Sequence, residues 1–512
     1  MSRRRKAPRT LRSTTEIPGM QQEEPVESAK NMRFTDALGT LINLNQNTAS
    51  LELHVLEQLA PALTTTLIVI RAELNSRRPA LRIPPEILSI IFSFVPRRIR
   101  DLKYMWPQVV VECKDLVPVT EVCRYWRQVA LDNPFLWSHI DYFTPEFMFE
   151  RSRGAPLHVF VDPDTNIDLV ERLMEDRRPF RAFYGGEVWS PSLKNCPGHE
   201  LETLELITAR NELVFEGNTP RLRELALFYT LPVNDFSNLL RLCLRFINDI
   251  PFSKLHSWLS ASPRLQELIL SNLKLDIDRE NLKVVHLGHL RRLTVSDMSD
   301  DGAQRFFDYV TKSNSRKFEQ LRLDRRSRLL AVGQSSSAYI RPRLSSGKGW
   351  YRMITQGINV DDIKRVWVSR MLRMDRSYIL RSLFRDLATV DTLHVMDFES
   401  LDDICRVILR GRVVGSGMAP ILPKLSCLRI MATAKEVDGS LLGRLVTQRA
   451  LQKLPIEQVV LLEDADHGML RASTLQEHVK SLTHEPRGSV GWSMEMPAIC
   501  TDPRHSLWRS WN

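Results

Sequence analysis

The sequence predicts an α/β protein, with a helical N-terminal part followed by a long region of alternating short strands and helices. Two patterns carry this prediction. Leucines recur at three and four residues through the first part, the period of an amphipathic helix. An LxxLxL pattern recurs from about residue 200 onward. The chain has 512 residues, and it exceeds one hydrophobic core because single cores stop growing near about 250–300 residues.

The N-terminal region divides into a tail and a helical segment. Residues 1–32 are rich in Arg, Ser, Glu, Gln and Pro, which predicts a disordered basic tail. The cluster at 3–6 is a candidate nuclear localisation signal, although a plain solvated tail explains the same residues. Residues 34–78 predict a helical segment with one apolar stripe, and Pro61 predicts a kink or two helices. About three heptad-like turns with an internal proline do not support a long coiled coil.

Composition excludes several classes of protein. Hydrophobic residues make up 43% of the chain, enough for packed domains. We find no run approaching the ~18–20 apolar residues of a membrane span and no secretory h-region, so we expect no membrane partner. The seven cysteines are odd in number and scattered, without a CxxC pair. A reduced compartment, the cytoplasm and/or the nucleus, fits this usage better than a disulfide framework.

Residues 80–140 form the most informative stretch. Their apolar spacing predicts a helix that begins near Pro84 and Pro85, which suit a first helical turn, and ends at Pro96. A second helical run spans 119–130, and Asn133 with the proline after it breaks that run. The bland alternative is an ordinary three-helix core whose tryptophans only pack inside.

Three blocks in this stretch resemble the F-box family, whose pattern is an LPxE-like opening, a V-C-R-x-W-R helix and a final L-W. The blocks here are Ile83-Pro84-Pro85-Glu86-Ile87-Leu88, Val122-Cys123-Arg124-Tyr125-Trp126-Arg127 and Leu136-Trp137. Residues 97–117 look like an insertion where the family has a short link. The preceding apolar helix and the segment 151–157 look like an F-box group that is expanded in mushroom-forming fungi.

The resemblance implies a non-catalytic subunit of a ubiquitin ligase. F-box proteins dock a Skp-type adaptor and, through it, a cullin, while other subunits transfer ubiquitin. The residues that would be divided between the domain's own core and this interface are Ile83, Pro84, Pro85, Ile87, Leu88, Ile91, Val122, Cys123, Trp126, Leu136 and Trp137. An F-box that works only as a scaffold, without ligase assembly, is a further possibility.

The LxxLxL pattern predicts leucine-rich repeats. The five clearest matches are Leu201-Leu204-Leu206, Leu222-Leu225-Leu227, Leu239-Leu242-Leu244, Leu265-Leu268-Leu270 and Leu290-Leu293-Val295. Their intervals are near the ~20–29 residues of such repeats, and they predict an irregular solenoid over 150–470. Each unit would be a strand followed by a helical segment such as Phe252–Ser260. A basic, loop-rich insertion is expected at about 330–360, and residues 471–512 would be a C-terminal cap or tail. A non-repeating α/β domain is the competing interpretation.

The repeats would hold a target protein. By geometry, its contacts would come from variable strand positions, for example Glu224, Ala226, Glu267 and Ile269. The rival function uses residues 310–381, where 17 basic and 5 acidic side chains give a surplus of 17 − 5 = +12. There, aromatic and basic side chains interleave as in nucleic-acid or acidic-partner sites: Trp350, Tyr351, Trp367, Arg343, Lys348, Arg352 and Arg370. A solvated insertion explains the same residues.

We identify no catalytic motif and predict no enzyme, metal or cofactor. The segment 162–166 begins like a calcium loop, but Ile167 replaces the required glycine and Leu173 the bidentate glutamate. Cys196 and His199 lack a second pair of zinc ligands nearby.

Overall fold

The computed structural model describes residues 39, 42–43 and 52–486, except for 102–107, 142–143, 162–166, 186–191, 209–211, 277–281, 311–319, 325–327, 334–336, 342–359, 370–375, 397, 415–416, 432–438, 464–474 and 476. The predicted tail at 1–32 therefore lies outside the described residues. The chain divides into two compact units, Met1–Pro84 and Pro85–Asn512.

The first unit contains one long helix, α1 (Leu53–Ser76), followed by a short 3-10 turn, Pro79–Leu81. The alternative of two helices separated at Pro61 was wrong, because α1 runs through this residue as one helix. A proline removes one intrahelical hydrogen bond. The hydroxyls of Thr64, Thr65 and Thr66 then add side-chain bonds of 2.8, 2.8 and 2.9 Å to carbonyls four residues earlier.

Within the described residues, α1 is long and apolar enough to cross a membrane. Its segment Leu53–Leu74 has 22 residues and a mean hydropathy of 1.4, with none of that window buried. No span was predicted from the sequence, because threonines and a proline divide α1 into short apolar runs. Length and composition are weak evidence for a span, since other apolar helices meet the same criteria.

The second unit begins with short helices around a hairpin. Helix α2 (Pro85–Phe92) is followed by the antiparallel strands β1 (Arg98–Asp101) and β2 (Gln108–Val111). A 3-10 turn at Cys113–Leu116 leads into α3 (Val117–Val122) and then α4 (Arg124–Asp132). The second predicted helical run is therefore two helices, because Cys123 between them has an extended backbone (φ −162°, ψ 170°).

A large sheet fills the rest of this unit, with 16 strands within the described residues. Its first half comprises β3 (His139–Ile140), β4 (Leu157–Phe160), β5 (Phe180–Gly185), β6 (Thr203–Thr208), β7 (Glu224–Tyr229), β8 (Arg241–Arg245), β10 (Glu267–Ser271) and β12 (Arg292–Ser296). Its second half comprises β13 (Gln320–Asp324), β14 (Arg328–Val332), β15 (Ser337–Arg341), β16 (Arg365–Val368), β17 (Thr392–Val395), β20 (Cys427–Ile430), β21 (Gln458–Glu463) and β22 (Ser481–Pro486). Short pairs outside it are β9 (Ile250–Pro251) with β11 (Leu275–Asp276), and β18 (Arg412–Val414) with β19 (Gly417–Ala419).

The strands that carry the LxxLxL pattern lie parallel and in register. Leu204, Leu225 and Leu242 stand side by side in β6, β7 and β8, and the alignment continues into β10 and β12. Parallel strands need crossover connections. Several of these connections are helices: α5 (Glu146–Arg151), α6 (Ile167–Glu175), α7 (Phe252–Ser260), α8 (Asp300–Val310), α9 (Arg376–Asp386), α10 (Phe398–Arg410) and α11 (Gly439–Leu451). The helix predicted at Phe252–Ser260 is confirmed.

Two boundaries differ from the sequence predictions, and a third agrees with one of two predicted alternatives. The sheet begins at β3, before the predicted start of this region at residue 150, and Ile140 of β3 already lies in the apolar cluster. Part of the expected loop-rich insertion is strand: β14 and β15 run antiparallel and link β13 to β12 within the sheet. Near the C-terminus, β22 pairs in parallel with β21, so this part of the predicted cap or tail extends the sheet as a cap would.

One continuous apolar cluster lies behind the sheet, from Ile140 to Leu475. Alternate strand residues point into it, as the two-residue period of a strand requires. Leu204 and Leu206 are buried there, while Glu205 between them faces the other side of the sheet. Burial of this stripe is the main stabilising contribution that the leucine pattern makes.

Candidate functional site

The helices after residue 84 enclose a small core of their own. Leu88 and Phe92 from α2 are each 1% exposed, and Leu116, Ala130 and Trp137 are fully buried. The indole N–H of Trp137 donates to the Ala130 carbonyl at 2.8 Å. This bond satisfies the one polar group of the largest side chain in the core. The core therefore fixes the positions of α2 and α4.

The outer side of α2 is apolar as well. Ile87, Ile90 and Ile91 expose 49%, 56% and 43% of their surface, and Phe94 and Val95 in the turn after the helix expose 68% and 41%. Positions 87, 90, 91 and 94 follow the three- and four-residue spacing of one helix face. We call these five residues the α2 stripe. Clustered exposed apolar side chains of this kind are typical of protein–protein contacts.

The α2 stripe is held on a rigid support. Phe92 packs edge-to-face against Trp126 of α4, with ring centroids 5.2 Å apart. The Asn133 amide donates to the Ser89 hydroxyl and its oxygen accepts the Phe135 N–H at 3.2 Å, so α2 is joined to the 3-10 turn Pro134–Trp137. A docking surface on such a support needs little ordering when a partner binds.

The junction between α3 and α4 depends on Cys123 and Arg127. The Cys123 sulfur accepts the Trp126 backbone N–H at 3.4 Å and so caps α4. The Arg127 guanidinium donates to the Thr120 carbonyl at 2.7 Å, which satisfies an orphan carbonyl at the end of α3. Cys123 and Arg127, which both belong to the V-C-R-x-W-R block, therefore set the angle between α3 and α4.

The predicted insertion at 97–117 is anchored at its base. The Arg97 backbone N–H and side chain donate to the Asp115 carboxylate at 2.9 and 3.1 Å, and Arg97 also pairs with Glu112 at 3.1 Å. These contacts raise the pKa of Arg97 and lower that of Asp115, with the hydrogen bond between the two the largest cause. Cys113 is buried beside the core, and desolvation raises the pKa of its thiol to about 12. It is therefore a packing residue rather than a nucleophile.

The structure separates the predicted interface residues into three groups. Ile87, Ile91, Val122, Pro84 and Pro85 are exposed; Ile83, Cys123 and Trp126 are half-buried; Leu88, Leu136 and Trp137 are buried. The buried members belong to the core and cannot touch a partner in this conformation. Four further exposed apolar residues lie outside the predicted set: Ile90, Phe94, Val95 and Phe135. Helical spacing from Ile87 could have identified the first three of these.

The strand positions proposed for target contact lie in less accessible surroundings than expected. Ala226, Ile269 and Cys243 form a small buried cluster on the other face of the sheet. Glu267 is 1% exposed, and its carboxylate accepts from Arg292 at 2.6 Å. Ala226 and Ile269 are buried by cross-strand packing, and Glu267 is buried in an ion pair. These three side chains are therefore not available to a protein partner.

In the basic segment 310–381, the one aromatic residue whose side chain the structure describes is also buried. Trp367 is 1% exposed and stacks on His394 with ring centroids 4.2 Å apart, so it offers no face to a nucleotide base. Trp350, Tyr351, Arg343, Lys348, Arg352 and Arg370 lie outside the described residues.

Comparison with known families agrees with this geometry. Residues 80–142 match the family model described as F-box-like. A search of the curated proteins finds no match. The matched range contains all three sequence blocks, the helices α2–α4 and the hairpin between them. These observations together identify an F-box-like domain at residues 80–142 of this chain.

Proposed function

We propose that this protein is the substrate-recognition subunit of a Skp–cullin–F-box ubiquitin ligase, acting without catalysis in the cytoplasm and/or the nucleus. F-box domains are typically non-catalytic adaptor subunits, and the F-box-like match over 80–142 is the observation that carries the proposal. The exposed α2 stripe on a closed core supplies a physical reason for docking, since its five apolar side chains lose contact with water when a partner covers them.

The docking surface that we propose for the Skp-type adaptor is the α2 stripe. Ile87 and Ile91 lie one helical turn apart, and Ile90 lies beside them. The buried residues Leu88, Leu136 and Trp137 hold this surface in place rather than touching the adaptor. The cullin would be reached through the adaptor alone.

The target protein would be held by the region that carries the large sheet, which we interpret as irregular leucine-rich repeats. The aligned LxxLxL strands support this interpretation. Holding a target beside the transferring enzyme would raise its effective concentration there. Trp367 is buried, so it does not support the rival nucleic-acid role of residues 310–381.

The direct test is co-purification of the full chain with a Skp-type adaptor and a cullin, comparing wild type with the double variant Ile87→Glu/Ile91→Glu. Two carboxylates in the α2 stripe should weaken adaptor binding by about 100-fold or more, because a buried unpaired charge is costly. Leu451→Glu is the matched control, since Leu451 is an 80% exposed apolar residue on α11.

Circular dichroism should show that both variants fold like wild type. Retention of the adaptor by wild type and by Leu451→Glu, with loss by the double variant, is the expected result. Failure of the folded wild-type protein to bind any Skp-type adaptor would contradict the proposed function. Equal binding by wild type and the double variant would place the docking surface elsewhere.

A further inference from the structure

Helix α1 carries an apolar seam with a strict heptad period. The seam positions alternate at three and four residues: Leu53, Ala60, Leu67 and Leu74 at a, and Leu56, Leu63 and Ile70 at d. Leu63, Leu67 and Leu74 are 40%, 47% and 58% exposed. A seam with this period winds around a second helix as a left-handed coiled coil. The seam spans three heptads, or about 33 Å of helix.

The polar groups of α1 are compatible with burial along the seam. Pro61 falls at position b, on the outer side of the heptad, so its ring does not enter the seam. Thr64 and Thr66 flank the seam at positions e and g, Thr65 lies on the outer side at f, and their hydroxyls already donate to backbone carbonyls of α1. These groups therefore need no water when a second helix covers the seam.

The charges beside the seam select the occupant and its direction. Glu57 and Arg71 occupy e positions, both side chains are exposed, and neither has an ion-pair partner within the described residues. In an antiparallel pair, Leu63 packs against Leu67 of the second copy, and Glu57 then lies beside Arg71 of that copy, twice by symmetry. In a parallel pair Glu57 would meet Glu52 of the second copy, which is repulsive.

We propose that α1 pairs with α1 of a second copy as a short antiparallel coiled coil, so that the full chain is a homodimer. Three heptads give a modest interface. The dimer should therefore form at micromolar concentrations. This inference is independent of the proposed ligase role, because it concerns a helix that lies before the F-box-like domain.

Analytical ultracentrifugation of the full chain tests the pairing. Wild type should sediment at twice the chain mass of 59.2 kDa. The seam variant Leu63→Asp/Leu67→Asp should weaken the dimer by about 100-fold or more, because charges on an apolar seam are desolvated. The matched control is Ile68→Asp/Val69→Asp, which changes two exposed apolar residues at positions b and c of the same helix. This control should remain dimeric, and circular dichroism checks the helix in both variants.

A charge swap tests the direction of the pair. Glu57→Arg and Arg71→Glu should each weaken the antiparallel dimer, and the double swap should restore it. Flotation with phosphatidylcholine vesicles tests the competing occupant, a lipid surface. A monomeric wild type, equal loss of dimer in the seam and control variants, no effect of either single charge change, or a monomer that floats with vesicles would each overturn the proposal.

Discussion

At the scale of single residues, the buried histidine His394 is the most unusual group in the sheet. It is 3% exposed, stacks on Trp367, and has no hydrogen-bond partner for either ring nitrogen within the described residues. Desolvation, together with Arg429 and Arg365, lowers its pKa from 6.5 to about 3. His158, which stacks on His139, has its pKa lowered to about 4, mainly by desolvation.

These histidines make stability depend on pH. Since the pKa of His394 is depressed in the folded state, this histidine binds a proton below pH 6.5 in the unfolded chain but stays neutral in the folded chain until the pH is much lower. The stability is therefore fully present above pH 6.5 and is lost as the pH falls towards 3. As the pH falls through this window, the free energy of unfolding should decrease less for His394→Phe than for wild type. The difference should be up to about 1.4 kcal/mol per pH unit. Urea unfolding of both proteins between about pH 7 and about pH 4 measures this difference in the free energy of unfolding. The control is His289→Gln, which changes an exposed histidine and should show the same dependence of stability on pH as wild type. A pH profile of His394→Phe that runs parallel to that of wild type would refute this explanation.

At the scale of elements, the bend between α3 and α4 determines how the helices of the F-box-like domain pack together. Cys123 is extended and caps α4 with its sulfur, a weak acceptor. We expect Cys123→Ser to keep the stability of the domain, because serine is a preferred cap. Cys123→Val should lower it by about 1 kcal/mol, because valine cannot accept the Trp126 N–H. Thermal unfolding of both variants tests this, and equal stability of the two would show that the cap contributes nothing.

The same element shows what sequence reasoning could and could not supply. Periodicity predicted helices around Leu88 and Val129, but it could not show that Cys123 leaves the helical conformation, because the residue fits the apolar face. The exposed isoleucines of α2 were assigned only in part, since a helix with apolar residues on two sides does not reveal which side is covered. The strands β14 and β15 were missed because one of their ladder partners, β12, is remote in sequence.

At the scale of the whole molecule, leucine spacing located the parallel strands well because each strand repeats the same demand for burial. Leucine spacing did not predict the burial of Ala226, Glu267 and Ile269, since exposure at variable strand positions depends on neighbouring strands. Arg292 and Glu267 come together across β10 and β12, although 25 residues separate them. We therefore propose adaptor docking at the α2 stripe, while residues such as Ala226, Ile269 and Glu267 on the other face of the sheet serve cross-strand packing.

Hydrogen–deuterium exchange of the full chain, with and without a Skp-type adaptor, tests the central claim most directly. Docking through the α2 stripe should slow exchange over 85–95, because a covered helix opens less often, while strands β6–β12 should be unchanged. Unchanged exchange over 85–95 in the presence of saturating adaptor, or slowing confined to the sheet, would contradict the assignment of this domain as the adaptor-docking site.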